Sequence, residues 1–340
     1  MPLLSICMPS NRDLAGSRGA IESALAYAQG TGARLIISDN SADPLKRAFL
    51  EGLSSPSLTH ISSTASDAMG NWMSTLSRVD TPFVLPMGDD DELHLVDGAV
   101  PIDLAGLPAD VAGVRPLTEI WTAQDGVHHS EAFTIDAPSP SGRLAEYSAK
   151  AQGNNSIYYS IYRTSLFLPL ISFFNAAHPT HGGYCDWAMC LSLFTAGRML
   201  HDPSMLYRYD MGRWAEARQL DTMKKSLFLQ AGLPEAAENF SALLMFLDLH
   251  IFSLRPSLPL DAQQRREVLM MNARVTLAGF LRQVREQPEI FDETVVYLCQ
   301  LIEQEQDLDQ IVSLCILLTD CIRPGLKDGY VRFFQAALKA

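Results

Sequence analysis

Between Leu3 and Glu92 the sequence alternates short apolar runs with longer stretches of helical spacing, and this alternation limits the fold more than any other feature of the chain. Leu3 to Met8 reads as a buried strand. The polar segment Pro9-Ser-Asn-Arg-Asp13 follows, after which Ile21, Leu25 and Ala28 recur at helical spacing. Gly30-Thr-Gly32 breaks that helix, Arg34 to Ser38 gives a second strand, and Asp39-Asn-Ser-Ala-Asp43 supplies turn and cap residues before another helix. A strand over Thr59 to Ser62, a helix over Ala68 to Ser77 and a strand over Phe83 to Pro86 complete the series, and the last strand runs straight into Gly88-Asp-Asp-Asp-Glu92. Such alternation predicts an α/β fold, a mostly parallel sheet flanked by helices. Ligands of these sheets collect at the carboxyl ends of strands, so Asp39 and the run Asp89 to Asp91 are expected to face one crevice.

Beyond residue 110 the pattern changes. Val111 to Arg115, Phe133 to Ile135 and Ile157 to Tyr162 are short β-leaning pieces between Gly, Pro and Ser, and predict a mixed extension of the sheet. Cys185 to Ala196 reads as a helix closed by Gly197, and Met205 to Tyr209 as a last strand. After Arg213 the chain is purely helical, with Val268, Met271, Val275, Ala278 and Leu281 on one stripe and Leu308, Ile311, Val312, Cys315 and Ile322 on another. A chain of 340 residues exceeds one comfortable core. The expected division is therefore residues 1–213 as the α/β domain and 214–340 as a helical domain or cap.

A formal charge of −13 with no long basic run argues against a nucleic-acid partner. Six cysteines without a Cys-x-x-Cys pair, several among apolar residues, suit reduced buried thiols of a cytoplasmic protein, and no disulfides are expected. The apolar start ends at Pro9 and lacks the basic lead and length of a signal peptide. Ala242 to Leu254, interrupted by Asp248 and His250, is shorter than the roughly 20 residues a spanning helix needs, so no transmembrane segment is expected.

The most specific chemical signal is Gly88-Asp89-Asp90-Asp91-Glu92. Adjacent carboxylates repel unless something positive sits among them, and a hard divalent cation such as Mg²⁺ or Mn²⁺ takes one or two carboxylates together with phosphate oxygens of a substrate. Read alone, Asp39 is ordinary turn chemistry and Asp186 an ordinary helix start, although Tyr184 and Trp187 beside it could wall a partly dry pocket. His178 and His181, in His-Pro-Thr-His, have a spacing that can pinch a metal but no third ligand nearby in sequence, so a polar loop is the plainer reading. Dinucleotide and P-loop glycine motifs are absent, as is Gly-x-Ser-x-Gly.

Taken in order, Met8-Pro-Ser-Asn-Arg12, Ser38-Asp-Asn-Ser-Ala-Asp43, Asn71-Trp72, Gly88-Asp-Asp-Asp-Glu92 and Cys185-Asp186-Trp187 resemble the family 2 glycosyltransferases of the GT-A fold, over about residues 3–212. The resemblance implies that Pro9, Asn11 and Asp39 hold the nucleoside of a nucleotide-sugar, with Asp39 accepting from the base. It places Asn71, Asp89 and Asp91 close to the donor, and gives the metal to Asp90, with Asp91 beside it. Asp186 falls where the family keeps the general base of an inverting transfer. Two positions depart from the family pattern: Cys185 replaces the usual acidic partner of the base, and Gly88 the first Asp of the metal motif, which leaves the exact ligand among Asp89, Asp90 and Asp91 open.

The expected function is thus a metal-dependent inverting glycosyltransferase taking a uridine or thymidine diphosphate sugar to a saccharide or lipid-linked acceptor, in surface polysaccharide or glycolipid synthesis. It would be cytoplasmic, with room for peripheral contact at the inner face of a membrane and for homo-oligomers through the helical tail. Two alternatives stand beside it. One is a degenerate nucleotide-sugar-binding domain without turnover, working through its helical tail. The other is a sugar nucleotidyltransferase, which would want a basic Gly-rich loop that Ser10-Asn-Arg-Asp13 does not supply.

Overall fold

Aspartates start the early helices. In the computed structural model, which describes residues 1–151, 154–212 and 217–340 and gives no side chains for 217–221, β1 (Leu4–Ser10) hands over to α1 (Leu14–Thr31) at Asp13, whose carboxylate accepts from the Gly16 N–H. Gly32, at φ 73°, ends α1 in the left-handed region that favours glycine. After β2 (Arg34–Asp39), Asp43 caps α2 (Pro44–Gly52), with Pro44 in the first turn where its missing N–H costs nothing. Asp67 caps α3 (Ala68–Leu76), which lies between β3 (Leu58–Ser62) and β4 (Phe83–Pro86).

The remaining strands are β5 (Glu92–Leu95), β6 (Val111–Thr122), β7 (Gly126–Glu131), β8 (Ile161–Arg163) and β9 (Arg198–Asp210). The described residues form one sheet in the order β3-β2-β1-β4-β8-β6-β9-β5, with β7 paired to β6. Strands β3, β2, β1 and β4 are parallel throughout, and the register sets the ends of β1, β2 and β3 level: Ser10 pairs with Asp39, and Asp39 with Ser62. Past β4 the sheet is mixed, since β8 runs antiparallel to both β4 and β6 while β6 and β9 are parallel. Ile6, Met8, Leu35, Ile37 and Leu85 on the sheet pack with Ile21, Ala24, Leu25 and Ala28 of α1. The α/β architecture and its mixed extension thus match the sequence reading.

Two compact units divide the chain: Met1–Asp136 with Ser156–Leu168 and Gly197–Ala215, and Ala137–Asn155 with Pro169–Ala196 and Glu216–Ala340. The second unit is helical and its helices are α4 (Pro140–Lys150), the later part of α5 (Thr164–Ala177), α6 (Asp186–Ala196), α7 (Ala217–Gln230), α8 (Ser241–Leu254), α9 (Ala262–Asn272), α10 (Ala278–Glu286), α11 (Glu293–Gln304), α12 (Leu308–Ile322) and α13 (Leu326–Ala337). The expected boundary at 213 lies outside the described residues. Segments 137–155 and 169–196, read from sequence with the α/β domain, cluster with the helices instead. The division inside α5 falls at Pro169, which has no N–H for the helix ladder. Helix α8 is buried at ten positions from Leu243 to Ser253 and forms the centre of this unit. Glu235–Leu254 is long and apolar enough, by length and composition, to cross a membrane, yet 67% of its apolar window is buried inside the structure.

Several expectations are corrected in detail. Phe133 to Ile135 makes only an isolated bridge, Ile135 to Met199. Over Ile157 to Tyr162 a 3-10 turn at Ser156–Tyr158 precedes the short β8. Strands β5 and β7 and helix α4 went unread because Glu92-Leu-His-Leu95 and the exposed Gly126–Glu131 carry little β-branched apolar alternation. The stripe Val268, Met271, Val275, Ala278, Leu281 is displaced. A π-helical turn over Ala273–Leu277 adds a residue to the period, so Val268, Leu269, Asn272, Thr276, Leu277, Phe280 and Val284 are buried and Ala278 is exposed. On α12, Val312, Cys315 and Ile322 are buried as expected.

Candidate functional site

The first unit gathers its charged residues where β1, β2 and β4 end. Asp89 is fixed by four hydrogen bonds. Its Oδ2 accepts from Ser10 Oγ at 2.7 Å, from the Asn11 N–H at 3.0 Å and from the Arg12 N–H at 3.1 Å, and its Oδ1 from Arg12 Nε at 3.2 Å. The guanidinium of Arg12 reaches on through Nη2 to Oδ2 of Asp90. Asp91 turns the other way, into the sheet: Tyr207 donates its hydroxyl to Oδ2 at 2.6 Å and the Asp210 N–H donates to Oδ1 at 2.9 Å. Tyr207, itself fully buried, stacks on Tyr159 with ring centroids 5.4 Å apart.

Burial raises the pKa of Asp91, and the neighbouring charge of Asp90 raises it further, against the Tyr207 and Asp210 hydrogen bonds that oppose the shift. Two adjacent carboxylates at a strand end, Asp91 resisting ionisation through burial first and the charge of Asp90 second, are a donor set a hard divalent cation would relieve, and Asp90 is the more exposed of the two. Gly88 is explained by the same crowding. A Cβ on it would lie 2.7 Å from Asp91 Oδ2 and 2.8 Å from Asp90 Oδ1, so a side chain here would push both carboxylates away.

Asp39 ends β2 and is 8% exposed; its Oδ1 takes the Ser41 N–H at 3.2 Å and Lys46 Nζ at 3.1 Å. Among the described residues Oδ2 has no partner. Lys46, fully buried, also donates to Ser10 Oγ and to the Arg12 carbonyl at 2.8 Å. A continuous polar chain therefore runs from Asp39 through Lys46 and Ser10 to Asp89, and from Asp89 through Arg12 to Asp90. Asn71 holds this arrangement from α3. Its Oδ1 accepts from Ser38 Oγ at 2.7 Å, and its Nδ2 donates to the Ser10 carbonyl at 3.3 Å and to Asn40 Oδ1 at 3.1 Å. Pro9 sits in β1 opposite Ser38, and the Asn11 side chain is exposed beside the loop.

Asp186 belongs to the second unit, at the start of α6. Its Oδ1 accepts the Trp187 N–H at 2.7 Å. Burial pushes its pKa up to about 6, opposed by the amide of Asn155 and the Trp187 N–H. Tyr147 donates to Asn155 Oδ1 at 2.8 Å and its ring lies 5.9 Å from that of Trp187. Arg143 secures the far end of α6, donating to the carbonyls of Phe194 and Thr195. A carboxylate at this pKa is mostly ionised at neutral pH and still basic enough to take a proton.

A second polar cluster lies in the interior of the helical unit. His178, Cys185 and Asp248 bring their ligand atoms within 4.8 Å of one another. The backbone N–H groups of Thr180 and His181 donate to His178 Nδ1, at 3.3 and 3.1 Å, so the ring proton belongs on Nε2, the nitrogen that faces Asp248 Oδ1 at 3.0 Å and Cys185 at 3.6 Å. An ion would have to replace that proton. Tyr330 also donates to Asp248 Oδ1, at 3.0 Å, and burial together with Asp248 raises the Cys185 pKa well above the ordinary thiol value. These contacts fit a hydrogen-bonded hub better than a metal centre. The pinch read from His178 and His181 is not formed: His181 is exposed and its Nε2 donates to the Asn175 carbonyl at 3.0 Å.

No family model and no curated protein matches the chain. Among solved structures it is similar to S. aureus TarS 1–349 in complex with UDP, at 14% identity and a TM-score of 0.47, covering 99% of this chain and 91% of that one. It is also similar to the mannosyltransferase PcManGT from Pyrobaculum calidifontis in complex with GDP-Man and Mn²⁺, at 12% identity and a TM-score of 0.49, covering 99% and 86%.

Four residues of this arrangement escaped the sequence reading. Lys46 had a usable signal, since it stands four residues before Leu50 and the two are the buried residues of α2. Arg12 lay inside a motif but carried no assigned partner. Tyr207 and Asn155 had none, because each meets its acid only through the tertiary fold.

Proposed function

We propose that the chain is a metal-dependent glycosyltransferase of the GT-A type, with the nucleotide-sugar site in the first unit. The observation that carries this reading is the polar chain from Asp39 to Asp90, which ties a carboxylate at the end of β2 to the acidic loop at the end of β4. In this reading Asp39 offers its Oδ2 to a donor N–H of a uracil or thymine base, Pro9 and Asn11 shape the nucleoside pocket, and Asn71 and Asp89 hold the loops in place. Asp90 and Asp91 would hold a divalent ion, Mn²⁺ or Mg²⁺, and such an ion would supply positive charge for the departing diphosphate.

Asp186 would act as the base. It takes the proton of the acceptor hydroxyl as that oxygen attacks the anomeric carbon, and the bond to the diphosphate breaks on the opposite face, inverting the centre. With a pKa near 6 it is ready for this at neutral pH. A saccharide or lipid-linked acceptor in surface polysaccharide or glycolipid synthesis, at the cytoplasmic face, suits the reading.

The test is release of nucleoside diphosphate from a panel of uridine and thymidine diphosphate sugars, with Mn²⁺ and candidate acceptors. Metal-dependent release by the native chain and none by Asp186→Asn would support it. Metal-dependent binding with no release from any donor would favour a nucleotide-sugar-binding domain without turnover, the second reading, for which Arg12 seated against Asp89 and Asp90 speaks.

A further inference from the structure

The acidic loop has a cation of its own. Arg12 is anchored to Asp89 twice, through its backbone N–H at 3.1 Å and its Nε at 3.2 Å, and its carbonyl is held by Lys46 Nζ at 2.8 Å. Only the outer end of the side chain, Nη2, spans to Asp90. The Arg12 side chain is 29% exposed against 15% for Asp90, so more of Arg12 than of the carboxylate is open to solvent. Asp90 is also the more exposed of the two carboxylates given to a divalent ion in the proposed function. Guanidinium and ion would share one carboxylate, and like charges at that separation repel. Because Asp89 also holds the Arg12 backbone N–H and Lys46 its carbonyl, the guanidinium can turn away from Asp90 without unseating the residue.

On this basis, and resting on the metal-site reading above, we infer that Arg12 is a resident stand-in for the metal: it neutralises Asp90 before an ion binds, yields that carboxylate to the incoming ion, and turns its freed edge to the diphosphate. The planar fork of a guanidinium suits phosphate oxygens, which a Lys in its place would meet only as a point charge. The exchange couples the two ligands. Metal binding alone works against Arg12, whereas metal together with a nucleoside diphosphate gives the displaced guanidinium a new anion, so the pair binds better than either does singly.

The test uses Mn²⁺ alone, titrated into the full chain at low ionic strength and followed by the electron paramagnetic resonance of the free ion. Arg12→Gln removes the charge and keeps a donor for Asp89. It is expected to bind Mn²⁺ about tenfold tighter than the native chain, the factor that about 1.4 kcal/mol of removed repulsion corresponds to. It should also bind UDP more weakly in saturating Mn²⁺. Arg12→Met, of similar length and uncharged, serves if Arg12→Gln does not fold, with the same expectation. Mn²⁺ affinity that is unchanged or lower in a folded variant overturns the inference. The metal titration contains no nucleotide, so its outcome is separate from the proposed function, which fails instead if the native chain binds no nucleotide with Mn²⁺.

Discussion

The loop of Asp89, Asp90 and Asp91 and the hub around Asp248 both keep carboxylates out of water, and they do so by opposite means. In the loop, neighbouring acids resist one another: the charge of Asp90 adds to burial in raising the pKa of Asp91. Partial relief comes from Arg12, a side chain that is not fully enclosed. In the hub a single carboxylate, Asp248, accepts at Oδ1 from the buried side chains of His178 and Tyr330, while its buried Oδ2 has no hydrogen-bond partner among the described residues. The hub keeps its donors on one oxygen, Oδ1, inside a helical core, while the loop sets acid beside acid and keeps electrostatic tension that a ligand would release. Tension of this kind marks a binding or catalytic site more reliably than burial does.

Asp186 should side with the loop, and its substitution carries the largest expected effect. Asp186→Asn is expected to lower the transfer rate by about 10²- to 10⁴-fold, the range for losing a general base, with nucleotide affinity nearly unchanged. Steady-state kinetics beside calorimetric binding would show it, and full activity in the variant removes the proposed base. For the hub, Asp248→Ala leaves His178 and Tyr330 without their acceptor and is expected to cost about 3 kcal/mol in denaturant unfolding. A cost under about 1 kcal/mol would erase the distinction between hub and loop.

Asp90→Ala should weaken nucleoside diphosphate binding in Mn²⁺ by about tenfold and have little effect without metal. Equal weakening with and without Mn²⁺ would give Asp90 a role other than metal binding. The smallest effect is in stability against pH. The folded pKa of Asp186, about 6, lies above the ordinary carboxylate range, so the stability it contributes is fully present below about pH 4 and is lost as pH rises through 6. Asp186→Asn should therefore match the native chain near pH 4 and exceed it by about 1 kcal/mol at pH 8, after allowance for the partial exposure of the group. Unfolding curves at the two pH values that differ in the opposite sense would move Asp186 to the structural side.

Strands β2 and β4 of the parallel sheet were legible because their buried runs, Leu35 to Ser38 and Phe83 to Leu85, end in Asp39 and Pro86 where the chain leaves the sheet. Asp39 and Asp89 to Asp91 could be placed at strand ends for that reason alone. Their partners were less legible. Lys46 lies on α2 only 7 residues past Asp39, whereas Tyr207 reaches Asp91 across 116 residues, and only the pairing of β5 with β9 brings those two together. In the helical unit the composition announced helices, but the π-helical turn at Ala273–Leu277 moved the buried face, and no residue pattern in that stretch foretells an added residue per turn. The segment with Asp186 read as part of the α/β domain because its neighbours in sequence did, although it clusters with helices that follow far later in the chain.

The central claim is a metal-dependent nucleotide site at Asp39 and Asp89 to Asp91, and the most direct measurement is the melting temperature of the native chain with each nucleoside diphosphate, in the presence and absence of Mn²⁺. A rise with UDP or dTDP that requires Mn²⁺, and that disappears in Asp90→Ala, is the predicted result. No rise with any nucleotide in the presence of Mn²⁺ would contradict the claim.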